Sequence, residues 1–230
     1  IVAQVSYYFV AAAALGAPHR KVAFSVPTGN FGDIFAGHVA RRMGLPIELL
    51  VIGSNQNDIL PRTLETGVYE MRGVMATSSP SMDIQISSNF ERYLFEASGG
   101  DADLVARQMQ MLAQGRRFEL SEEQVAGVRR DFVARAASEE EVAATIRDML
   151  ASAGYVLDPH TACGVHAAKT ALEGRVPDDT ARVILATAHP AKFPDAMEAI
   201  TGMRPGLPAR LSSLMTDAER YPVLGNDLKE

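Results

Sequence analysis

The amino-acid sequence predicts an α/β protein, an open, twisted, mostly parallel sheet with an α-helical insertion. Three features carry that reading. Lys21 to Leu45 runs strand, glycine-bearing turn, helix, and the apolar run Ile47 to Ile52 completes a βαβ unit. From residue 88 to 152 the texture changes to helix-spaced apolar positions with charged faces. Short apolar runs then alternate again with helices, from Gly154 to Gly202. The chain divides accordingly into an α/β segment (1–87), a helical insertion (88–152) and a return to the sheet plus a tail (153–230).

Each element has local signals. Ile1 to Pro18 carries no charge and reads as a buried helix stopped by Gly16 and Pro18. It lacks the basic start of a secretion signal, and Gln4, Ser6 and two tyrosines dilute it below what a membrane span needs. A chain that opens inside a helix is expected of a fragment or a processed protein. Val22 to Val26 is a short run with β-branched residues, ended by Pro27 and Gly29. In the next helix Ile34, Phe35, Val39 and Met43 share a face, and Gly44 with Pro46 closes it. Ile59 to Leu64 is a short helix and Val74 to Ser79 a weak strand or loop. Ser88-x-x-Glu91, Ser121-x-x-Gln124 and Ser138-x-x-Glu141 each match a capping box ahead of a helical pattern, and Asp101 to Gln114 adds another helix. Gly154 to Leu157 and Arg182 to Thr187 are expected strands. Between them a helix runs from Asp158 to Leu172, and Pro194 starts another.

Composition excludes several functions. With 47% hydrophobic residues and mean hydropathy near zero, the 24.8-kDa chain has the make-up of a soluble protein with a substantial core. A net charge of −6 and a pI near 5.4, without a cluster of Lys or Arg, argue against nucleic acid as a partner. A single cysteine allows no intrachain disulfide and points to a reducing, cytoplasmic setting.

The turn Thr28 to Asp33 is the main candidate for chemistry. It gathers backbone N–H groups and two glycines at a helix N-terminus, where unpaired donors and the helix dipole favour a phosphate. Gly-Lys-Ser/Thr and GxGxxG are both absent, which excludes a nucleoside-triphosphate loop and a dinucleotide fingerprint. A strand–helix connection that binds nothing has the same pattern, and spacing leaves both readings open. The polar loop Gly53 to Asp58, which includes Asn57, either lines the edge where open α/β sheets hold ligands or turns in solvent. Thr187 closes an apolar strand at that same edge, ahead of His189 and Lys192. Its hydroxyl can donate and accept, and a lysine there suits an anion. His160, Cys163 and His166 invite a zinc reading. On a helix, however, i+6 leaves the face shared by i and i+3, and no fourth ligand follows, so no metal is expected. Cys163, among alanines and a glycine, reads as packing rather than as a nucleophile.

Four ordered motifs carry a family resemblance: SVPTGNFGDIFAGHVARRMGLPI, SPSMDIQISSNFERYLFE, DPHTACGVHAA and ATAHPAKFPDA. They resemble the threonine synthase family, within the fold type II, tryptophan-synthase-β-like enzymes that use pyridoxal 5'-phosphate. The resemblance covers most of the chain and weakens in the helical insertion and the tail. It implies a partial fold of that type, with 1–87 and 153–230 in the cofactor domain. It implies that Thr28, Gly29, Asn30, Phe31 and Gly32 cradle the cofactor phosphate through backbone N–H groups. It also implies that Thr187 meets the pyridine nitrogen, where a hydroxyl, unlike a carboxylate, does not enforce a pyridinium. Asn57 and Lys192 are the expected substrate contacts.

The reaction implied is a carbon–oxygen lyase step of threonine biosynthesis. It converts O-phosphohomoserine and water to threonine and phosphate, by γ-elimination and then β-addition. The family's Schiff-base lysine, in a stretch like H-G-P-T-x-x-F-K-D, has no counterpart here: Lys21, Lys169, Lys192 and Lys229 are the four lysines, and none has that context. No catalytic residue is therefore assigned in this chain. It is expected to be the C-terminal half of such an enzyme, inactive without the N-terminal half as partner. The alternatives are a non-catalytic phosphate- or cofactor-binding module and another fold type II enzyme, such as a serine or threonine dehydratase or a cysteine synthase.

Overall fold

The hydrophobic pattern folds into a parallel sheet between helices in the computed structural model, which describes residues 1–227. Helix α1 (Val2–Ala14) leads to strand β1 (Val22–Pro27), helix α2 (Gly32–Arg42) and strand β2 (Ile47–Ser54). Then come α3 (Ile59–Thr66), β3 (Val68–Glu70), α4 (Phe90–Ala97), α5 (Ala102–Gly115), β4 (Arg117–Glu119) and α6 (Glu122–Asp131). Strand β5 (Phe132–Ala136), α7 (Glu139–Ala153), α8 (Pro159–Leu172), β6 (Ala181–Ile184) and α9 (Pro194–Thr201) complete the regular elements. The main sheet has the order β5-β2-β1-β6, every pair parallel, while β3 and β4 form a separate antiparallel pair.

Every position of β1 is buried, as expected of a strand covered on both faces. Val22, Phe24 and Val26 pack toward Tyr8 and Ile34, and Ala23 on the opposite face packs toward Ala167 and Leu172 of α8. Small residues bring α8 close to the sheet. A Cβ on Gly53 would stand 3.0 Å from the Cys163 carbonyl oxygen, and the Ser25 hydroxyl donates to the Gly164 carbonyl at 2.7 Å. The close approach aligns the N-terminus of α8 with the C-terminal ends of β1 and β2, where the candidate residues lie.

Several expected elements take another form. Helix α1 buries only one face, with Tyr8 and Ala12 inside and Val2, Tyr7 and Val10 outside; the Tyr8 ring lies 4.7 Å from that of Phe24. No helix among the described residues is long and apolar enough to cross a membrane. The 88–152 segment is not helical throughout: β4 pairs with β3, and β5 joins the main sheet beside β2. Phe132, spaced as the last apolar position of a helix, is instead the first residue of β5, with extended dihedrals and 2% exposure. Residues 154 to 157 form no strand, because too few residues separate the left-handed cap at Gly154 from the Asp158 cap of α8. Strand β6 ends at Ile184, short of Thr187; its neighbour β1 ends in Pro27, which has no N–H with which to continue a ladder.

Candidate functional site

The C-terminal end of β1, the start of α2, the turn at residues 80–82, the start of α8 and the segment 187–192 enclose one cavity of about 400 Å³. Its floor is the turn Thr28 to Asp33. Phe31, the residue before α2, has φ of 63°, a left-handed conformation disfavoured for any residue with a Cβ. Its ring is 1% exposed and lies 5.1 Å from Phe90 and 5.3 Å from Phe132. Core packing thus holds the strained residue in place.

The segment Ser87 to Asn89 orients the turn. The Ser87 hydroxyl donates to the Gly29 carbonyl at 2.6 Å, and the Asn89 backbone N–H and side-chain amide both donate to the Asn30 carbonyl at 3.0 Å. In a trans peptide the carbonyl and the next N–H point in opposite directions. Holding these two carbonyls outward therefore turns the N–H groups of Asn30 and Phe31 inward. Among the described residues, the N–H groups from Gly29 to Asp33 make no hydrogen bond. Asp33 also lines the cavity; its Oδ1 is buried without a partner, and burial raises its carboxyl pKa.

The opposite wall carries Thr187 and Lys192, both exposed, together with His160, Ser81 and Met82. The Lys192 Nζ lies 5.8 Å from the Phe193 ring centre. Among charged side chains lining the cavity, Lys192 supplies the cation and Asp33 the carboxylate. A row of unpaired amides, a lysine and the absence of a Cβ at the two glycines suit a phosphate ester or a carboxylate.

The structure thus brings together Thr28, Gly29, Asn30, Phe31, Gly32, Thr187 and Lys192. Thr28 and Phe31 line it through backbone more than side chain: the Thr28 hydroxyl donates to the Val26 carbonyl at 2.6 Å, and the Phe31 ring faces the core. Asn57 does not reach the cavity. Its amide donates to Asp83 at 3.0 Å and to the Met75 carbonyl at 2.9 Å, and accepts from the Met75 N–H at 2.9 Å. With Asn55 and Thr77, which also donate to Asp83, it fixes the 75–83 loop that carries Ser81. Asn57 shapes one wall of the site from behind.

Other marked residues fall outside. Cys163 is buried, burial pushes its thiol up to about 12, and its Sγ donates to the Pro159 carbonyl. His166 faces Glu141 of α7 at 3.8 Å, away from His160. Lys21 pairs with Glu48 at the opposite end of the sheet, Lys169 is exposed near the C-terminal end of α8, and Lys229 lies outside the described residues. Sequence reasoning missed the Ser87–Asn89 clamp and the place of His160. The first was visible as a serine pair, but its spacing matched a cap; Asn89, not Ser88, precedes α4, and the Ser88 hydroxyl faces the Asn30 side chain at 3.2 Å.

Comparison with known proteins agrees with the motifs. A family model described as "Threonine synthase, C-terminal" matches residues 161–230. Threonine synthase of Pseudomonas aeruginosa is 47% identical over 229 residues, 99% of this chain and 48% of that protein. Threonine synthase of Saccharomyces cerevisiae is 41% identical over 94% of this chain and 46% of that protein. Among solved structures, a pyridoxal-phosphate-bound threonine synthase from Brucella melitensis superimposes with a TM-score of 0.90 and 57% identity, over 98% of this chain and 48% of that one. The chain spans about half the length of the relatives it matches. By sequence along nearly its whole length and by fold, it is similar to these threonine synthases, and the matching family model describes their C-terminal part.

Proposed function

We propose that this chain forms the phosphate- and ring-holding side of the active site of a pyridoxal-phosphate-dependent threonine synthase. The substrates are O-phosphohomoserine and water, and the products threonine and phosphate. The observation that carries the reading is the set of unpaired N–H groups from Gly29 to Asp33 on a cavity that also holds Thr187 and Lys192. A threonine synthase of 57% identity has been solved with pyridoxal phosphate bound.

The residues fit that cofactor. Gly29 and Gly32 let the turn pack tightly, since a Cβ would stand 3.1 Å from the Ser81 carbonyl oxygen at the first and 3.3 Å from the Asn89 amide at the second. The turn offers donors without a counter-charge of its own beyond Asp33. When bound, the cofactor supplies an electron sink for the carbon skeleton of the substrate. The chain's own part is to hold and orient. Backbone donors of the turn bind the phosphate group, Thr187 meets the ring nitrogen through its hydroxyl, and Lys192 attracts an anionic group of the substrate.

The successive proton transfers need a base beside the reacting carbon, which this reading takes to be the neutral amine of a lysine. Lys21 and Lys169 lie away from the cavity, and Lys192 sits exposed on its wall. In this reading the base comes from the other half of the enzyme, which completes the site. A non-catalytic anion module is less favoured, because similarity extends past the turn to the whole chain. A cytoplasmic setting also belongs to the reading, consistent with one buried free thiol. The test is a pyridoxal phosphate titration with inorganic phosphate as competitor, followed by mixing with a separately made N-terminal half. Weak, phosphate-competed binding and turnover only in the mixture support the proposal; threonine formation by the chain alone would overturn it.

A further inference from the structure

His160 lies at the junction of three walls of the cavity. It is the second residue of α8 and is 4% exposed. Its Nε2 accepts the Ser81 N–H at 3.2 Å. Its ring is tilted against Phe193 with centres 4.9 Å apart, and the residue before Phe193 is Lys192. Its Nδ1 makes no hydrogen bond and has Asp158 Oδ1 at 3.4 Å. That carboxylate is fixed in turn, because it caps α8 by accepting from the N–H groups of His160 at 2.9 Å and Thr161 at 3.2 Å. An imidazole whose Nε2 accepts carries its proton on Nδ1, which here faces the carboxylate.

Ser81 is the contact that links this arrangement to the anion turn. A Cβ on Gly29 would stand 3.1 Å from the Ser81 carbonyl oxygen and 3.2 Å from the Met82 Cα. The turn at residues 80–82 thus abuts the phosphate turn directly; the bonds to Asp83 hold the loop from one side, and the bond from Ser81 to His160 ties it from the other. The hydrophobic contacts of the imidazole could be supplied by any ring; the acceptor at Nε2 could not.

We propose that His160, oriented by Asp158, is a positioning residue that sets the Ser81 wall against Gly29 and so fixes the shape of the phosphate cradle. The proposal rests on the reading of the turn as the cofactor phosphate site, and gives His160 no direct step in the chemistry. Its distinguishing requirement is a hydrogen-bond acceptor at the Nε2 position, not a titrating group and not an aromatic surface.

Two variants of the full natural-length protein separate these requirements. His160→Gln places an amide oxygen near the Nε2 position; His160→Phe keeps a ring against Phe193 and removes the acceptor. The readout is the affinity of the cofactor-free protein for inorganic phosphate and for pyridoxal phosphate, with amide hydrogen exchange at Ser81 as a second measurement. His160→Phe should weaken both ligands by about tenfold, a factor within reach of one buried hydrogen bond, and His160→Gln should stay within about threefold of the parent. Equal loss in both variants, or parent-like affinity in His160→Phe, would overturn the proposal. Should His160→Phe fail to fold, the parent protein decides: phosphate must slow exchange at Ser81 together with the turn, and unchanged exchange counts against His160. A parent protein that binds phosphate while both variants do so equally well leaves the functional reading standing and removes only this inference. A parent that binds neither ligand removes both.

Discussion

Gly29 and Ser81 meet backbone to backbone: a Cβ on Gly29 would lie 3.1 Å from the Ser81 carbonyl oxygen. Neither neighbour is the free end of a side chain, so an added methyl group must displace the chain itself. Gly29→Ala is expected to cost about 1–3 kcal/mol of stability, in the range of over-packed sites, and to weaken phosphate binding at the same time. Urea unfolding and phosphate titration measure the two effects. Loss of stability with unchanged affinity would show that the 80–82 wall does not shape the anion site.

Phe31 sets two effects against each other. Its buried ring contributes about 3–5 kcal/mol, the usual loss on truncation to alanine, while its left-handed backbone costs roughly 1–2 kcal/mol that glycine would not incur. Both Phe31→Ala and Phe31→Gly should therefore destabilise the protein. Phe31→Gly should be the milder by about 1 kcal/mol, the reverse of the usual order of the two residues. Equilibrium unfolding of the pair checks this; an alanine variant as stable as the glycine variant would mean the strain is not stored there.

Much of this site was legible because it depends on local chain chemistry. Pro27, Gly29 and Gly32 between an apolar run and a helical pattern mark a strand–turn–helix connection from residue types, which leave open whether it holds an anion. The capping boxes at Ser121 and Ser138 were equally readable, since each acts within three residues of itself. What escaped were features that exist only through distant pairing. Phe132 joins the main sheet through β2, some eighty residues earlier in the chain by its pairing with Leu50, and nothing near it announces that partner. Asn57 looked like a ligand contact because it follows a strand; its partners Met75 and Asp83 lie in a loop that periodicity does not place. Ser88 matched a cap by spacing, whereas it and Ser87 serve Asn30 and Gly29.

Asp158 links stability to pH. Burial opposes its charge, but hydrogen bonds from His160 and Thr161 prevail and hold its carboxyl below the usual range. The unfolded chain then binds that proton more readily than the folded one. Its contribution is present above the unfolded pKa of about 3.9 and is lost as pH falls through the lowered folded value. Asp158→Ala is expected to cost about 1–2 kcal/mol at neutral pH, as for other lost caps, with the gap to the parent narrowing as acid is added. Denaturant unfolding at a series of pH values tests this. A gap of constant size would mean that the carboxylate charge plays no part.

Thr187 lies past the end of β6, on the wall opposite the turn. In the full natural-length protein, Thr187→Val should loosen the cofactor and lower turnover, by roughly 1–3 kcal/mol for an unpaired polar group in a dry site. Thr187→Ser should largely restore both. Loss in Thr187→Ser with a parent-like Thr187→Val would assign the role to the methyl group instead.

The most direct test of the account is the affinity of the full natural-length, cofactor-free protein for pyridoxal phosphate with and without Gly32→Val, measured by titration calorimetry. Gly32 opens α2, and a Cβ there would stand 3.3 Å from the Asn89 amide, beside the inward-facing N–H groups. If those groups hold the cofactor phosphate, Gly32→Val weakens binding by about tenfold or more while circular dichroism stays that of the parent. Unchanged affinity in a correctly folded Gly32→Val protein would place the phosphate elsewhere and contradict the account.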